Sequence, residues 1–527
     1  MVSKKQWLPV VIIIIIVQAA AEAMVVYNVL KLGMRPVPYL IGLFGALLLL
    51  MVITMLLLWL GMNKAPSKGK RVRRIIGIVF ACIVVAVSFV GAGMIGQAIT
   101  ALNKITDDDS SMEACVGLYV LKEDPAQTVN DLKGYTFGIM EGFDDVNTKV
   151  ALDDVEKTLG GSVETSLFAS VTEVAQSLYD GTDKVVVLNE AYADLLAETE
   201  EFSDWEEKTR IVYEVEVSND QYQQYAAQYG DGGEDEDPEI PAGTTVAIKD
   251  QTKPVASISE EPFIVYVSGS DTRSKVLRKS RSDVNILVVV NPKTKMILLL
   301  NTPRDYYVPN PAGKGTMDKL THLGLYGVNN SIKALADLYD CKVNYYGQIN
   351  FTGFEKLINS IGGIDVYSPK SFNSGNVKGY HFDKGMNHLD GASALVFARE
   401  RYAFGEGDNM RGKNQMRVIS AIIKKMTSGD SKILLNYGSI MDSMSGMFVT
   451  NFENKEIEEL VKMQLGDMAE WTVKSYAVSG TGTSAKTYSM PKMRCYVMKQ
   501  NKKQVAKATE LIDRVERGDI LTDDDVK

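Results

Sequence analysis

Four arginines crowd one short stretch, Val396 to Arg417: Arg399, Arg401, Arg411 and Arg417, with Asp408 and Gln415 between them. A guanidinium stays charged at any working pH, and its planar fork matches phosphate oxygens two at a time. The spacing predicts a helix ending in the apolar run Val396-Phe397-Ala398, which delivers the first two arginines. A glycine-rich loop from Gly405 to Gly412 follows, and then a second helix. Arg411 and Gln415 stand four apart, so they share one face of that second helix. Arginines converging around a glycine-rich turn describe an anion site of a kind suited to a diphosphate. An isolated stretch of this composition would otherwise be a solvated, salt-bridged helix face.

A second constellation lies about 100 residues upstream. Asp271 follows one strand-like run, FIVYVSGS, and Asp283 opens another, VNILVVVN. If those strands are neighbours, both carboxylates sit at one edge of the sheet, where sites on α/β folds form. Arg304, ending a third run, KMILLLNTPRD, falls at the same edge. Two hard oxygen ligands with substrate phosphates suit a magnesium ion. A metal and arginines around a pyrophosphate are what phosphoryl transfer needs: cations for the leaving-group charge, and positioning. Taken singly, either aspartate serves equally well as a turn former or strand cap.

Other chemistries lack their residues. His322, His381 and His388 show no ligand spacing and read as structural. No GxSxG elbow, Walker loop or HExxH motif is present, which argues against a serine hydrolase, a P-loop nucleotidase or a zinc protease. Cys82, Cys115, Cys341 and Cys495 form no CxxC pair and read as small buried residues rather than a disulfide framework.

The elements that must position these residues begin with a membrane anchor. Apolar runs at about 8–30, 39–60 and 75–99 are each long enough to span a bilayer. Between the second and third lies NKAPSKGKRVRR, whose six basic residues predict a cytoplasmic loop; Lys4 and Lys5 put the N-terminus on the same side. Three spans then leave the large C-terminal part outside the cell. Glu22 interrupts the first span, and Gly91, Gly93 and Gly96 in the third have spacing suited to a helix contact. The first 105 residues carry 11 basic residues and one acid, so a chain of net charge −9 leaves −19 for the rest. An acidic body outside the membrane argues against nucleic acid as a partner.

Residues 106–250 read as a smaller external accessory α/β domain ending in an acidic linker, GDGGEDEDPE. Strand-like Cys115–Leu121 and Thr136–Met140 alternate with helical Val150–Gly160 and Val171–Gly181, and Val185–Leu196 reads as a strand running into a helix. No polar constellation stands out there, and a structural or docking role is expected. Residues 251–527 read as one catalytic α/β domain, a mixed central sheet flanked by helices. Asn291-Pro292-Lys293-Thr294 closes a hairpin, Asn329–Asp340 and Phe354–Gly363 are amphipathic helices, and Val343–Phe351 is a strand between them. Helical Asn454–Leu465, strand-like Trp471–Gly480 and a final helix over Lys499–Gly518 complete it.

The segments FIVYVSGSDTR, RSDVNILVVVNPKTK, LLLNTPRD, DKLTHLGLYG, INFTGFEKLINSIGGIDV, GMNHLDGASALVFARERY and GEGDNMRGKNQMRVISAIIKK, in this order, resemble the LytR-CpsA-Psr family. Three spans and an extra external domain are similar to its capsule-linked members. The resemblance implies transfer of a glycopolymer (capsule polysaccharide, teichoic acid or similar) from an undecaprenyl-pyrophosphate carrier to peptidoglycan outside the membrane of Gram-positive bacteria. The implied acceptor is the 6-hydroxyl of N-acetylmuramic acid, and the implied cofactor is Mg2+. By the same resemblance Asp271 and Asp283 hold the metal. Arg304, Arg399, Arg401, Arg411, Gln415 and Lys319 bind the pyrophosphate, and Asp271, Arg304, Arg399, Arg401 and Asp408 are the catalytic set. A tunnel for the polyprenyl tail is implied between helices and sheet, with Leu335, Leu338, Phe354, Leu357 and Ile358 as its apolar candidates. Asn285 and Asn301 depart from the family pattern without removing a charged member. Capsule or cell-wall assembly proteins are further partners that the resemblance implies. A lipid pyrophosphatase, with water as acceptor, and a non-enzymatic regulator of wall assembly stay open beside the transferase.

Overall fold

The computed structural model describes residues 4–32, 37–60, 68–106, 114–141, 144–197, 199, 201–218, 221, 224–225, 248–270, 277, 280–405, 407–429, 440, 443–444, 446–491 and 493–527. Asp271 and the whole acidic stretch GDGGEDEDPE lie outside them.

Three long helices come first: α1 (Lys4–Leu32), α2 (Val37–Leu60) and α3 (Lys68–Thr106). Trp7–Lys31, Val37–Trp59 and Arg74–Gln97 are long and apolar enough to cross a membrane. Their mutual packing uses small and polar groups, as helix contacts in lipid do. Asn28 Nδ2 donates to the Ala92 carbonyl at 2.8 Å across α1 and α3; within α1, Gln18 Nε2 donates to Glu22 Oε1 at 2.8 Å, which gives the buried Glu22 a partner. The glycine expectation holds only in part. Space is open around Gly91 and Gly93, and it is fully buried Ala92, with Gly96 near Asn28, that faces the neighbouring helix.

The accessory part is a five-stranded sheet of β1 (Ala114–Leu121), β2 (Thr136–Met140), β3 (Glu164–Phe168), β4 (Val185–Asn189) and β5 (Thr209–Val217), in the order β3-β2-β4-β1-β5. β3, β2 and β4 run parallel, and β1 is antiparallel to both its neighbours. Two hydrophobic clusters flank it. One is its own, around Phe137, Val150 and Val187. The other, around Tyr192, Val174 and Trp205, also takes in Leu325, Tyr488 and Met490 from the C-terminal part, so the two α/β units share a core.

The C-terminal sheet centres on β6 (Phe263–Ser270), β7 (Val284–Asn291) and β8 (Met296–Asn301), paired antiparallel in that order. Strand Tyr345–Asn350 joins β6 in parallel and carries Phe448–Thr450 on its far side; Thr472–Ala477 joins β8 in parallel. The period of two along β7 explains the layering. Leu287 and Val289 point into a cluster with helices Val328–Tyr339 and Lys502–Arg517. Ile286, Val288 and Val290 point to the opposite face, where Met416, Ile419 and Ile423 of helix Asp408–Thr427 cover them. The ends of β6, β8 and Tyr345–Asn350 and the start of β7 therefore share one edge, as the sequence reading requires.

Candidate active site

A cavity of about 440 Å3 opens at that edge, between the Met416-covered face of the sheet and helices Phe351–Ser360, Gly391–Arg399 and Asp408–Thr427. It has two unlike ends. Arg281, Asp283, Arg304 and Arg411, which interact with one another, stand with Gln415 at one, and Arg399 and Arg401 also line the cavity. Val267, Ile349, Phe354, Leu357, Ile422 and Phe448 are among those lining the other.

Each arginine is held by a local device. Asp390 caps helix Gly391–Arg399, accepting from the Ser393 N–H at 2.8 Å. Arg399 ends that helix with its guanidinium 4.6 Å above the Phe351 ring, a cation–π contact that fixes the fork. Buried Glu400 then folds the chain, accepting from Ser374 Oγ and from the N–H groups of Gly375, Tyr402 and Ala403 at 2.8–2.9 Å. Burial works to raise its carboxyl, and these bonds more than offset that, holding it below the ordinary value. The turn they make carries half-buried Arg401, which lies against Tyr402 and donates to its hydroxyl at 2.8 Å.

Helix Asp408–Thr427 starts one residue beyond Gly407, whose φ of +54° glycine adopts readily. The glycine-rich loop is thus shorter than expected: Gly412 lies inside the helix. A Cβ there would run into the Asn301 side chain, so this glycine lets the helix sit against the end of β8. Arg411 and Gln415, four apart, both face the cavity, as their spacing predicts.

Asp283 is the anionic centre of the cluster. Its Oδ1 accepts from Arg304 Nη1 at 2.8 Å and from Thr321 Oγ1 at 3.3 Å, and Arg411 Nη1 stands 3.8 Å from Oδ2. Burial alone would raise this carboxyl, but Arg304, Arg411 and Arg281 together hold it well below the usual carboxylate range. An always-ionised hard oxygen donor, beside guanidiniums that would gather phosphates, fits a magnesium ion, which takes one or two carboxylates and fills its shell with phosphate and water oxygens.

Two expected members, Asp408 and Lys319, stand elsewhere, as does Arg417 of the arginine-rich stretch. Asp408 does not line the cavity; its Oδ1 lies 3.0 Å from Arg411 Nη2 and orients that guanidinium. Lys319 is buried and paired with Asp305 at 3.0 Å, away from the lining. Arg417 turns to Asn414 Oδ1 at 2.7 Å. Of the tunnel candidates, Phe354 and Leu357 line the cavity. Ile358 is buried in the core beneath them, and Leu335 and Leu338 belong to the opposite face of the sheet.

Sequence reasoning missed Arg281, Thr321 and Phe351. Arg281 carried the one available signal, standing two residues from Asp283. His322 fits the structural reading, its Nδ1 lying 2.8 Å from buried Asp318 Oδ1; His388 Nδ1 lies 2.8 Å from Asp365, and both His388 and His381 are exposed. All four cysteines are free, but Cys115 alone is buried, so the expectation of buried thiols holds only there. Asn285, one of the two departures, bonds Tyr266 and the Ser282 carbonyl inside the core.

The chain is 32% identical over 212 residues to the polyisoprenyl-teichoic acid–peptidoglycan teichoic acid transferase TagU of Bacillus cereus, matching 40% of this chain and 67% of that one. It is 33% identical over 227 residues to the protein of the same name from Enterococcus faecalis, matching 42% and 72%. Among solved structures it is similar to B. subtilis TagT, at 27% identity and a TM-score of 0.39 over 52% of this chain and 100% of that one. Residues 235–507 match the model of the LytR_cpsA_psr family, and the chain belongs to that family.

Proposed function

We propose that this chain is a membrane-anchored transferase that moves a glycopolymer from a polyprenyl-pyrophosphate carrier to peptidoglycan at the outer face of the membrane. The observation that carries this reading is the lining of the cavity: five guanidiniums and an apolar arm in one cavity suit a lipid whose head is a polyanion. The relatives' names, teichoic acid transferases to peptidoglycan, support the two substrate classes.

In this reading Arg304, Arg399, Arg401 and Arg411 grip the diphosphate and Gln415 adds a neutral donor. A peptidoglycan sugar hydroxyl attacks the phosphorus next to the glycan. A new P–O bond forms, the bond to the bridging oxygen breaks, and polyprenyl phosphate leaves. The guanidiniums stabilise charge building on the bridging oxygen, the larger part of catalysis in such transfers. Magnesium, held by Asp283 and Asp271, would supply further neutralisation of the diphosphate. Asp271, next in sequence after the cavity-lining Ser270, is the proposed acceptor of the hydroxyl proton. Asp408 acts indirectly, by orienting Arg411.

The test uses the full chain in lipid vesicles with a polyprenyl-pyrophosphate glycan and a peptidoglycan oligomer, with and without magnesium. Glycan on the acceptor, dependent on magnesium and lost in Arg399→Ala, is expected. Carrier cleavage without transfer would make the chain a lipid pyrophosphatase.

A further inference from the structure

The outer end of α3 does not stop at the membrane; it packs on the C-terminal unit, against strand Phe448–Thr450 and helix Asn454–Asp467. Ile95 is the joint. It belongs to the cluster of the three spans, with Val25, Val29 and Ala92. It also belongs to the cluster that includes Phe354, Leu357 and Phe448, which wall the apolar arm of the cavity. On the same helix Val90 and Met94 are exposed, as residues facing lipid are. The apolar wall of the site is thus continuous, through one side chain, with a membrane span.

Size makes this contact matter. A cavity of about 440 Å3 is in the range that houses a drug-sized ligand, too small for the whole of a long polyprenyl chain. The rest of the chain must leave the protein, and leaving into water would expose apolar surface at about 25 cal/mol per Å2. Resting on the carrier reading above, we infer that the outer end of α3 at Ile95 forms the bilayer-side wall of a lateral entrance. Through it the isoprenoid passes from the membrane into the apolar arm, past Phe448. The spans are then part of the substrate path as well as an anchor.

Two measurements on the full chain in vesicles test this. The first compares Ile95→Glu and Ile95→Leu with a long-chain carrier and with a short, water-soluble prenyl-pyrophosphate glycan that has no need of the entrance. Ile95→Glu raises KM for the long carrier about tenfold, the effect of losing roughly one buried aliphatic contact. It leaves the short donor unchanged, and Ile95→Leu restores the long one. Equal loss with both donors, or no change with either, overturns the entrance. The second needs no turnover and so survives failure of the transferase reading: an inert polyprenyl pyrophosphate carries photoreactive diazirines at successive isoprene units. Units near the pyrophosphate label the Phe354–Leu357 region, and units further out label peptides containing Ile95 and Phe448. If no position along the chain labels around Ile95, the lipid enters elsewhere.

Discussion

At the scale of residues, Asp283 decides how the cationic cluster behaves. Without it, Arg304, Arg411 and Arg281 would repel one another in a buried site. Asp283→Asn leaves those guanidiniums facing a neutral amide, and breaking a buried arrangement of this kind costs roughly 3–5 kcal/mol. Urea unfolding will show that loss at neutral pH. The carboxyl is held below its unfolded value. Its contribution is therefore fully present above the ordinary carboxylate range and is lost only as pH falls through the depressed folded value. The gap between wild type and variant should accordingly stay level into mild acid and close only in strong acid. Binding separates the roles further. Asp283→Asn keeps metal-free affinity for inorganic pyrophosphate, since the arginines remain, and loses any enhancement by magnesium; an undiminished enhancement would place the ion elsewhere. This part of the site was legible because arginines at strand ends and at four-residue spacing carry their own geometry. Lys319 stands outside the lining, and residue type could not say that Asp305 pairs with its ammonium.

At the scale of elements, the placement of helix Asp408–Thr427 sets Arg411 and Gln415, and Gly412 sets the placement. Alanine in a helix interior is ordinarily about 1 kcal/mol better than glycine. Here the sign reverses, because the added Cβ meets Asn301 at the end of β8. Gly412→Ala should lower the melting temperature and weaken binding of a polyprenyl pyrophosphate together. Asn301→Ala in the same chain should recover most of both, a coupling that a double-mutant cycle measures. If Gly412→Ala is as stable as wild type, the close packing is not what seats the helix. Sequence periodicity found the long helices and the central strands but not this contact, and it passed over β3, β5 and the short strand Phe448–Thr450. It also sent Leu335 and Leu338 to the tunnel. An amphipathic helix announces that one face is buried, and says nothing of which side of the sheet buries it.

At the scale of the whole molecule, the accessory unit is fastened to the catalytic one through a shared core. Its parallel strands end near Tyr192 and Val171, which pack with Leu325, Tyr488 and Met490. Tyr326 bonds Ser489, Ser489 bonds buried Asp318, and Asp318 bonds His322, so the interface runs into the segment Leu320–Tyr326. That segment supplies Thr321, whose hydroxyl reaches Asp283. Glu206 of the accessory unit lines the cavity itself. A docking role was the expectation from a domain with no polar constellation; that docking reaches the anionic centre of the site depends on contacts between residues over 100 positions apart, which no local pattern encodes. Met490 tests the consequence. It is 3% exposed within the shared core, and Met490→Glu buries a carboxylate with no provided partner, at a cost of about 3 kcal/mol or more. Hydrogen exchange should then rise in the accessory strands and in Leu320–Tyr326 together, while helix Phe351–Ser360, packed in a different cluster, keeps its protection. Transfer activity should fall with it, because Thr321 loses its fixed position beside Asp283. Exchange that rises in the accessory strands alone, with activity intact, would mean that the accessory unit rides on the enzyme without shaping its site.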